Sequence, residues 1–336
     1  MRFVFAALLL LFSTMPESTF IFDNAPFASC HASTVLELRN GDLLAAWFGG
    51  SAEGHPDVAI WSSRFSQGRW SPPTVLAREP DIAAYNPVLF YTHDGRLWLY
   101  YKFGPHPDDW AAARRWSVDD GEAWSPTEHL AAGLYGPIRA KPLILYDGTV
   151  VSGTSVEAYG TWACWIERSV DNGRTFRRIG PITAPAWPEA AAAGKRYGII
   201  QPSVVSLGGT HLRLYARSTP QIAKICIADS FDNGLTWTPA RTIDVPNPNA
   251  GLDAVSLKDG RVVLVYNNTA AGRSPLNLAV SRDGDHFKMF YTLESEAGAE
   301  FSYPAMIQAR NGDLLITYTW KRRKIRFVRF PLADIP

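Results

Sequence analysis

Pairs of short apolar runs, each pair joined by a turn that contains glycine, recur along the whole chain. The runs have the length and content of strands. The six turn glycines lie between 51 and 61 residues apart, at Gly41, Gly95, Gly148, Gly209, Gly260 and Gly312. Strand-rich units with a period of about fifty residues are typical of radial arrays of small sheets. The pattern therefore predicts an all-β, six-bladed β-propeller with four-stranded antiparallel blades.

A second motif, S-x-D-x-G-x-T-W, closes several of these units. Copies occupy residues 117–124, 169–176 and 230–237, and a shortened copy occupies residues 281–287. The Asp carboxylate can accept backbone N–H bonds within the turn, the Gly can adopt a positive φ, and the aromatic ring can hold the turn against the sheet. Because a catalytic group is not needed four times, we predict that this motif stabilises the fold and lies away from the active face.

Strand direction separates the predicted propeller into two faces. The first and second strands of a unit are antiparallel neighbours, so first strands begin on the face where second strands end. Counting back from the turn glycines, the predicted first-strand starts are His31, Asn86, Lys141, Gln201, Asp253 and Tyr303. The second-strand ends and the neighbouring loops add Lys102, Glu157, Arg217, Arg273, Arg322, Arg139 and Glu53. Together these side chains predict a cationic cup with a few carboxylates and one tyrosine around the channel mouth.

Net charge and composition exclude several classes of function. The formal net charge is +1, which gives no electrostatic basis for binding nucleic acid or an anionic membrane. The three cysteines, Cys30, Cys164 and Cys226, are too few for a disulfide framework. Histidine and cysteine spacings do not match a metal site, and no glycine-rich nucleotide loop precedes a helix. We therefore expect no metal and no cofactor, with a calcium ion held by loop carbonyls as the open alternative.

The N-terminal residues are typical of a secretory leader. Arg2 precedes an uninterrupted apolar run from Val4 to Phe12, which is too short to cross a bilayer as a helix. We expect a signal peptide over residues 1–17, with an uncleaved anchor as the alternative, and a single propeller domain over residues 18–336. The expected mature protein is a secreted or periplasmic monomer.

These motifs resemble those of the sialidase superfamily, the six-bladed propellers with BNR repeats or Asp-boxes, over roughly residues 25–330. The resemblance implies three arginines that bind a sugar carboxylate, a tyrosine nucleophile paired with a glutamate, and an aspartate as acid/base. Arg217 is similar to the second arginine of that set and Arg273 to the third. Tyr303 is similar to the nucleophile, and Glu53 takes the acid/base position.

Two departures from the family pattern indicate a divergent, sialidase-like branch. His31 stands where the first arginine belongs, and Gln201 stands where the glutamate belongs, although an amide cannot take a proton. Glu157 or Asp253 is the expected substitute for that glutamate.

Three functions stay open on the sequence alone, and each has an acidic glycan as its partner. The first is an exo-glycosidase that releases a terminal acidic sugar, with Lys141 or Arg139 completing the carboxylate site. The second is a polysaccharide lyase acting on uronate linkages, in which His31 and Tyr303 provide base and acid. The third is a non-catalytic, glycan-binding propeller.

Overall fold

Six antiparallel blades surround a central channel in the described part of the chain, which confirms the predicted propeller. The structure is a computed structural model and describes residues 16–185 and 196–336. The helices within these residues are single 3-10 turns: η1 (Pro107–Asp109), η2 (Ala158–Gly160) and η3 (Leu332–Asp334). None of the helices in these two ranges has the length and apolarity needed to cross a membrane.

Each blade begins with a strand beside the channel and adds its later strands outward. Blade 1 contains β2 (Ser29–Glu37), β3 (Leu43–Gly50), β4 (Ala59–Ser66), β5 (Arg69–Trp70) and β6 (Thr74–Ala77). Blade 2 contains β7 (Ala84–Tyr91), β8 (Leu97–Phe103), β9 (Ala111–Ser117) and β10 (Glu128–His129). Blade 3 contains β11 (Leu143–Ile144), β12 (Val150–Val156), β13 (Thr161–Ser169) and β14 (Arg177–Ile182).

The second half of the chain repeats this arrangement. Blade 4 contains β15 (Tyr197–Gly208), β16 (His211–Ser218), β17 (Lys224–Ser230) and β18 (Arg241–Pro246). Blade 5 contains β19 (Asp253–Ser256), β20 (Val262–Tyr266), β21 (Leu276–Ser281) and β22 (Lys288–Glu294). Blade 6 contains β23 (Phe301–Gln308), β24 (Leu314–Trp320), β25 (Lys324–Phe330) and, from the start of the chain, β1 (Glu17–Phe20).

The two ends of the chain close the ring in blade 6. β1 pairs antiparallel with β25, with Thr19 opposite Phe327, so β1 is the outer strand of the last blade. This pairing covers an edge of the last blade that would otherwise be open. The predicted leader falls mainly on residues 1–15, which lie outside the described residues.

Blade 3 departs from the regular pattern. Its channel strand, β11, is only two residues long, and the segment before it runs without strand pairing past Arg139 and Lys141. Its third strand, β13, also pairs in parallel with β15, with Thr161 opposite Tyr197, which joins blades 3 and 4 into one sheet.

The repeated Asp-box motif has the structural role predicted for it. In the first copy, Ser117 Oγ donates to Asp119 Oδ1 at 2.7 Å and accepts from Gly121 N at 2.8 Å. The box of each later blade also bonds to the blade before it: Tyr100 Oη donates to Gly173 O at 2.8 Å, and Tyr215 Oη donates to Gly284 O at 2.7 Å. The boxes therefore fix neighbouring blades to one another.

Candidate active site

A bulge near the start of the channel strand aims one side chain at the mouth in four blades. Ala32, Asn86, Gln201 and Tyr303 all have φ between 43° and 55°, each at a shift in strand pairing. Bulges of this kind reorient a side chain at the end of a sheet. The blade 1 member is Ala32 rather than the predicted His31, so that alignment was wrong by one residue.

Tyr303 lies at the centre of the mouth. Its hydroxyl oxygen is 2.7 Å from Arg217 Nη1 and 3.2 Å from Gln201 Nε2. Arg217 Nη1 also donates to Gln201 Oε1 at 3.3 Å, which fixes the orientation of the amide. The tyrosine oxygen thus faces two N–H donors, which would stabilise negative charge that develops on it.

Three guanidinium groups surround the ring of Tyr303. Those of Arg139, Arg273 and Arg217 lie 5.3, 5.4 and 5.8 Å from its centroid. Arg217 is also placed by Asn249, whose Oδ1 accepts from its Nε at 2.7 Å. The cup predicted from sequence therefore has a tyrosine at its centre and arginines from three blades around it.

Arg273 and Arg322 share one carboxylate. Glu300 Oε1 accepts from Arg273 Nη1 at 2.9 Å, from Arg322 Nε at 3.0 Å and from Ser302 Oγ at 2.7 Å. Arg322 Nη1 also donates to Glu53 Oε2. Burial opposes ionisation of Glu300, but Ser302 and the two arginines outweigh it and lower the pKa of Glu300. Two cations are therefore held beside Tyr303 by an ionised carboxylate.

His31 is buried under the tyrosine and is uncharged. Its ring centroid lies 4.2 Å from that of Tyr303, its Nδ1 is 2.9 Å from Thr319 Oγ1, and the residue is 1% exposed. Burial first, and then the charge of Arg322 and of the other arginines nearby, keeps the pKa of His31 well below its usual range. His31 therefore supports the ring of Tyr303 from below as a neutral group.

Among the carboxylates predicted for the site, Glu157 lies in surroundings that suit a general acid. It follows β12 at the start of η2 and is half-buried. Burial raises its pKa above the usual range, and the charges of Arg217 and Arg196 only partly oppose this. Glu53 differs because it is paired with Arg322 and more exposed. The surroundings of Glu157 therefore favour its protonated form.

Several predicted site residues support the fold instead of lining the mouth. Asp253 is 1% exposed and accepts from Lys141 Nζ at 3.0 Å, Ser203 Oγ at 2.6 Å and Met306 N at 2.8 Å. A carboxylate with these partners has no free access to a substrate, so the geometry does not fit the catalytic role expected for Asp253. It also does not fit the expectation that Lys141 binds the sugar carboxylate, because Lys141 is paired with Asp253. Their ion pair joins blades 3 and 5 across the channel.

Hydrogen bonds to backbone carbonyls hold three further residues predicted for the site: Arg139, Asn86 and Lys102. Arg139 donates to Leu252 O at 2.7 Å and to the carbonyl of residue 304. Asn86 Nδ2 donates to Ile138 O at 3.2 Å, and Lys102, which is fully buried, donates to the carbonyl of residue 137 at 2.6 Å. Arg139 forms the floor beneath Tyr303, while Asn86 and Lys102 hold the strandless segment of blade 3 that carries it.

Sequence reasoning missed three residues that shape the site. Glu300 bridges two arginines, Asn249 orients Arg217, and Trp162 lies under Arg217 with its ring centroid 5.4 Å from the guanidinium. The position of Glu300 three residues before Tyr303 was a usable signal, because it places Glu300 directly before the channel strand that carries Tyr303. Within the described ranges, no three His, Cys, Asp or Glu side chains are arranged to hold a metal ion.

Comparison with known proteins agrees with this architecture. The model of the BNR repeat-like domain family matches residues 41–316. None of the curated proteins matches the chain.

Similar solved structures include the NanB sialidase from Streptococcus pneumoniae, with a TM-score of 0.77 and 13% identity over 95% of this chain and 71% of that one. A protein of unknown function from Dyadobacter fermentans DSM 18053 has a TM-score of 0.76 and 17% identity, covering 93% of this chain and 97% of its own. The intramolecular trans-sialidase from Ruminococcus gnavus has a TM-score of 0.74 and 12% identity, covering 95% and 98%. At these identities the likeness shows the fold alone. With the family match covering most of its length, the chain belongs to the BNR repeat-like domain family.

Proposed function

We propose that the protein is a carbohydrate-active enzyme that hydrolyses the glycosidic bond of a terminal sugar carrying a carboxylate. The observation that carries the proposal is the placement of the Tyr303 hydroxyl, 2.7 Å from Arg217 Nη1 and within a cluster of arginines. Arginine suits a sugar carboxylate because its planar fork can donate two parallel hydrogen bonds. A neutral nucleophile also suits an acidic sugar, since a carboxylate nucleophile would be repelled by the substrate.

In this mechanism Arg217 and Arg273 bind the carboxylate and bring the anomeric carbon to Tyr303. The tyrosine oxygen attacks that carbon and forms a covalent glycosyl intermediate, which water then hydrolyses. Glu157 supplies the proton to the leaving oxygen, because burial keeps its carboxyl protonated to higher pH than an exposed glutamate. Gln201 cannot accept the proton of Tyr303, so that proton passes to solvent as the oxygen attacks, and the two N–H donors stabilise the negative charge that develops on the oxygen.

A specific observation favours elimination as a second candidate. Gln201 donates to Tyr303 where a hydrolase of this type would have a proton acceptor. An anionic tyrosine held by Arg217 and Gln201 could instead remove the proton next to a uronate carboxylate and then return it to the leaving oxygen. His31 would act only by support in such a reaction, since it is 1% exposed beneath the ring of Tyr303.

Tyr303→Phe tests the shared part of both mechanisms. We expect this variant to lose turnover of a sialic-acid glycoside and of uronate-terminated oligosaccharides. Tyr146→Phe is the matched control, because Tyr146 is fully exposed in the turn between β11 and β12. Full activity of Tyr303→Phe would remove the tyrosine from the reaction.

The mass of the product separates the two reactions. Hydrolysis releases a free acidic sugar with one water added. Elimination gives a product one water lighter, which absorbs ultraviolet light because it is an unsaturated uronate.

A further inference from the structure

Basic residues are concentrated at one place on blade 6. Five of the six residues from Lys321 to Arg326 are Lys or Arg, in a protein whose formal net charge is only +1. They occupy the turn between β24 and β25 and the start of β25. Arg322 belongs to the mouth, where it bonds to Glu300, and the hydrolysis proposed above gives the others no role. Those others are Lys321, Arg323, Lys324 and Arg326.

Two aromatic rings hold three of these cations in place. Lys321 Nζ lies 4.5 Å from the ring centroid of Trp320. Lys324 Nζ and the guanidinium carbon of Arg326 lie 4.6 and 4.4 Å from the ring centroid of Phe20, which is 5.2 Å from that of Trp320. The face of an aromatic ring attracts a cation. These side chains are therefore ordered in advance, which reduces the entropy lost when they bind a ligand.

Strand pairing places these groups on one face of the blade. Lys324 lies opposite Trp320, and Arg326 lies opposite Phe20. Directly opposed residues share a face of a sheet, and so do residues two apart along a strand. Lys324 and Arg326 are therefore about 7 Å apart on the same side of β25. The surface, which we call the blade 6 ridge, is formed by Lys321, Arg323, Lys324, Arg326, Trp320 and Phe20.

Two cations of the ridge have exposed acidic partners. Lys321 Nζ is 2.7 Å from Glu296 Oε1, and Lys324 Nζ is 3.3 Å from Asp23 Oδ1. The side chains of Glu296 and Asp23 are 58% and 88% exposed. Exposed ion pairs contribute little free energy and are screened by salt. These two acids therefore do little to reduce the attraction of the ridge for an anion.

The other two cations have no acidic partner. Within residues 16–185 and 196–336, no carboxylate pairs with Arg323 or Arg326, and Arg326 Nε donates to Ser18 Oγ at 2.7 Å. Glu294 lies on the same side, but its Oε1 accepts from Tyr318 Oη at 2.8 Å. Arg323 is exposed in the turn. The ridge thus has cationic side chains available to a ligand.

The ridge begins at the rim of the mouth. The backbone N–H of Lys321 donates to the carbonyl of Glu300 at 2.7 Å, and the carboxylate of Glu300 binds Arg322. Lys321 and Arg323 flank Arg322 in the chain. Lys324 and Arg326 then follow on β25, the third strand from the channel. A chain that extends from the mouth past Arg322 therefore meets the ridge next.

We propose that the blade 6 ridge binds the continuing chain of an anionic polysaccharide whose terminal acidic sugar occupies the mouth. The inference rests on the proposed function, because it assumes an acidic sugar at this mouth. Carboxylates on successive sugars suit a row of separate cations, since each cation takes its own partner and the contacts add to the affinity of the mouth. The ridge contacts sugars remote from the reacting atoms, so it favours a polymer over a short glycoside as substrate.

Calorimetric binding of oligogalacturonate and of oligosialic acid, each with its monomer, tests the ridge without requiring turnover. The double variant Arg323→Gln with Lys324→Gln should weaken binding of at least one oligomer by about fivefold, because each exposed charge contact contributes roughly two- to threefold. Binding of the corresponding monomer, which occupies the mouth alone, should not change. Equal binding of the oligomers by wild type and the double variant, equal weakening of oligomer and monomer, or no binding of either oligomer by wild type overturns the proposal.

A matched pair of lysines on blades 4 and 5 controls for net charge. Lys224 is paired with Asp244 at 2.9 Å, as Lys324 is with Asp23, and Lys288 is exposed on β22. Lys224→Gln with Lys288→Gln removes the same charge away from the ridge and should leave oligomer binding unchanged. A weakening equal to that of the ridge variant would show a general charge effect and overturn the proposal.

Single-stranded DNA serves as a competing polyanion of a different class. The ridge variant should lose no more affinity for DNA than for the preferred oligosaccharide. A larger loss with DNA would make the ridge a nucleic-acid surface and overturn the proposal.

Turnover separates this proposal from the proposed function. The ridge variant should cleave short glycosides at the wild-type rate. If wild type binds an oligomer through the ridge yet cleaves no glycoside, the hydrolase proposal fails and the ridge stands. If glycosides are cleaved and the ridge variant binds both oligomers as wild type does, the ridge fails and the hydrolase proposal stands.

Discussion

Replacing Lys102 with methionine tests quantitatively how the floor of the site is supported. Lys102 is fully buried, and its Nζ donates to the carbonyl of Pro137 at 2.6 Å. Two residues further along, Arg139 lies beneath Tyr303. Burial lowers the pKa of Lys102 from 10.5 to about 7, and the nearby charge of Glu167 only partly opposes this.

The sign and size of the pH effect follow from this shift. Below pH 7 the folded and unfolded chains both hold the proton, and the cost of burying the charge is about 5 kcal/mol. As the pH rises toward 10.5 the unfolded chain also loses its proton, and the cost disappears. Between pH 7 and pH 9 the folded protein should regain about 2 kcal/mol.

Urea unfolding of wild type and Lys102→Met at pH 7 and pH 9 measures this pH-dependent contribution of Lys102 to the free energy of unfolding. The Pro137 carbonyl loses its donor in the variant at both pH values, and the buried thiols are present in both proteins, so these effects cancel in the comparison. The free energy of unfolding of wild type should rise by about 2 kcal/mol more than that of the variant. The same pH dependence in both proteins would refute the description of Lys102 as a buried cation.

Three further predictions concern catalysis and the Asp-boxes. Gln201→Glu should raise the rate of hydrolysis by about 100-fold if loss of the Tyr303 proton limits that rate. Kinetics at neutral pH measure this, and a fall in the rate would favour elimination. Arg217→Lys should lower kcat/KM by about 10- to 100-fold, since lysine cannot reach Asn249 and Tyr303 together. Steady-state kinetics measure this, and an unchanged kcat/KM would contradict it. Asp171→Asn should lower the free energy of unfolding by about 1 kcal/mol at pH 7 without changing activity, as measured by urea unfolding and turnover. Although partial burial raises the pKa of Asp171, hydrogen bonds from Thr175 and others lower it to about 2, so this difference should shrink as the pH falls through that value.

The fold could be predicted from the sequence because two sequence motifs repeat with the period of the blades. Each glycine turn follows a channel strand, and each Asp-box follows a third strand, so each motif marks a fixed position within a blade. The boxes also keep their internal geometry in every copy, as Ser169 with Asp171 and Ser230 with Asp232 show. Local hydrogen bonds of this kind depend on neighbouring residues only, which is why the sequence is sufficient to predict them.

The site was harder to predict because its contacts join distant parts of the chain. The ion pair of Lys141 with Asp253 bridges two blades, and no local pattern shows that these two residues neutralise each other. Ala32 lies nine residues before its turn glycine, as Asn86 and Tyr303 do, so the residue count placed the blade 1 member one position too early, at His31. The place of Glu300 three residues before Tyr303 was a usable signal, but no local pattern shows that Arg273 and Arg322 meet at its carboxylate.

The most direct measurement of the central claim compares glycosides that differ only in the carboxylate. Wild-type protein is incubated with a sialic-acid glycoside and a uronate-terminated oligosaccharide, and separately with the carboxyl-reduced form of each. The masses of the products are measured by mass spectrometry. The account predicts cleavage of at least one acid, with water added to the released sugar, and no cleavage of its reduced counterpart. Equal cleavage of acid and reduced forms, or no cleavage of either acid, would contradict the claim that the arginines around Tyr303 select a carboxylated sugar for hydrolysis.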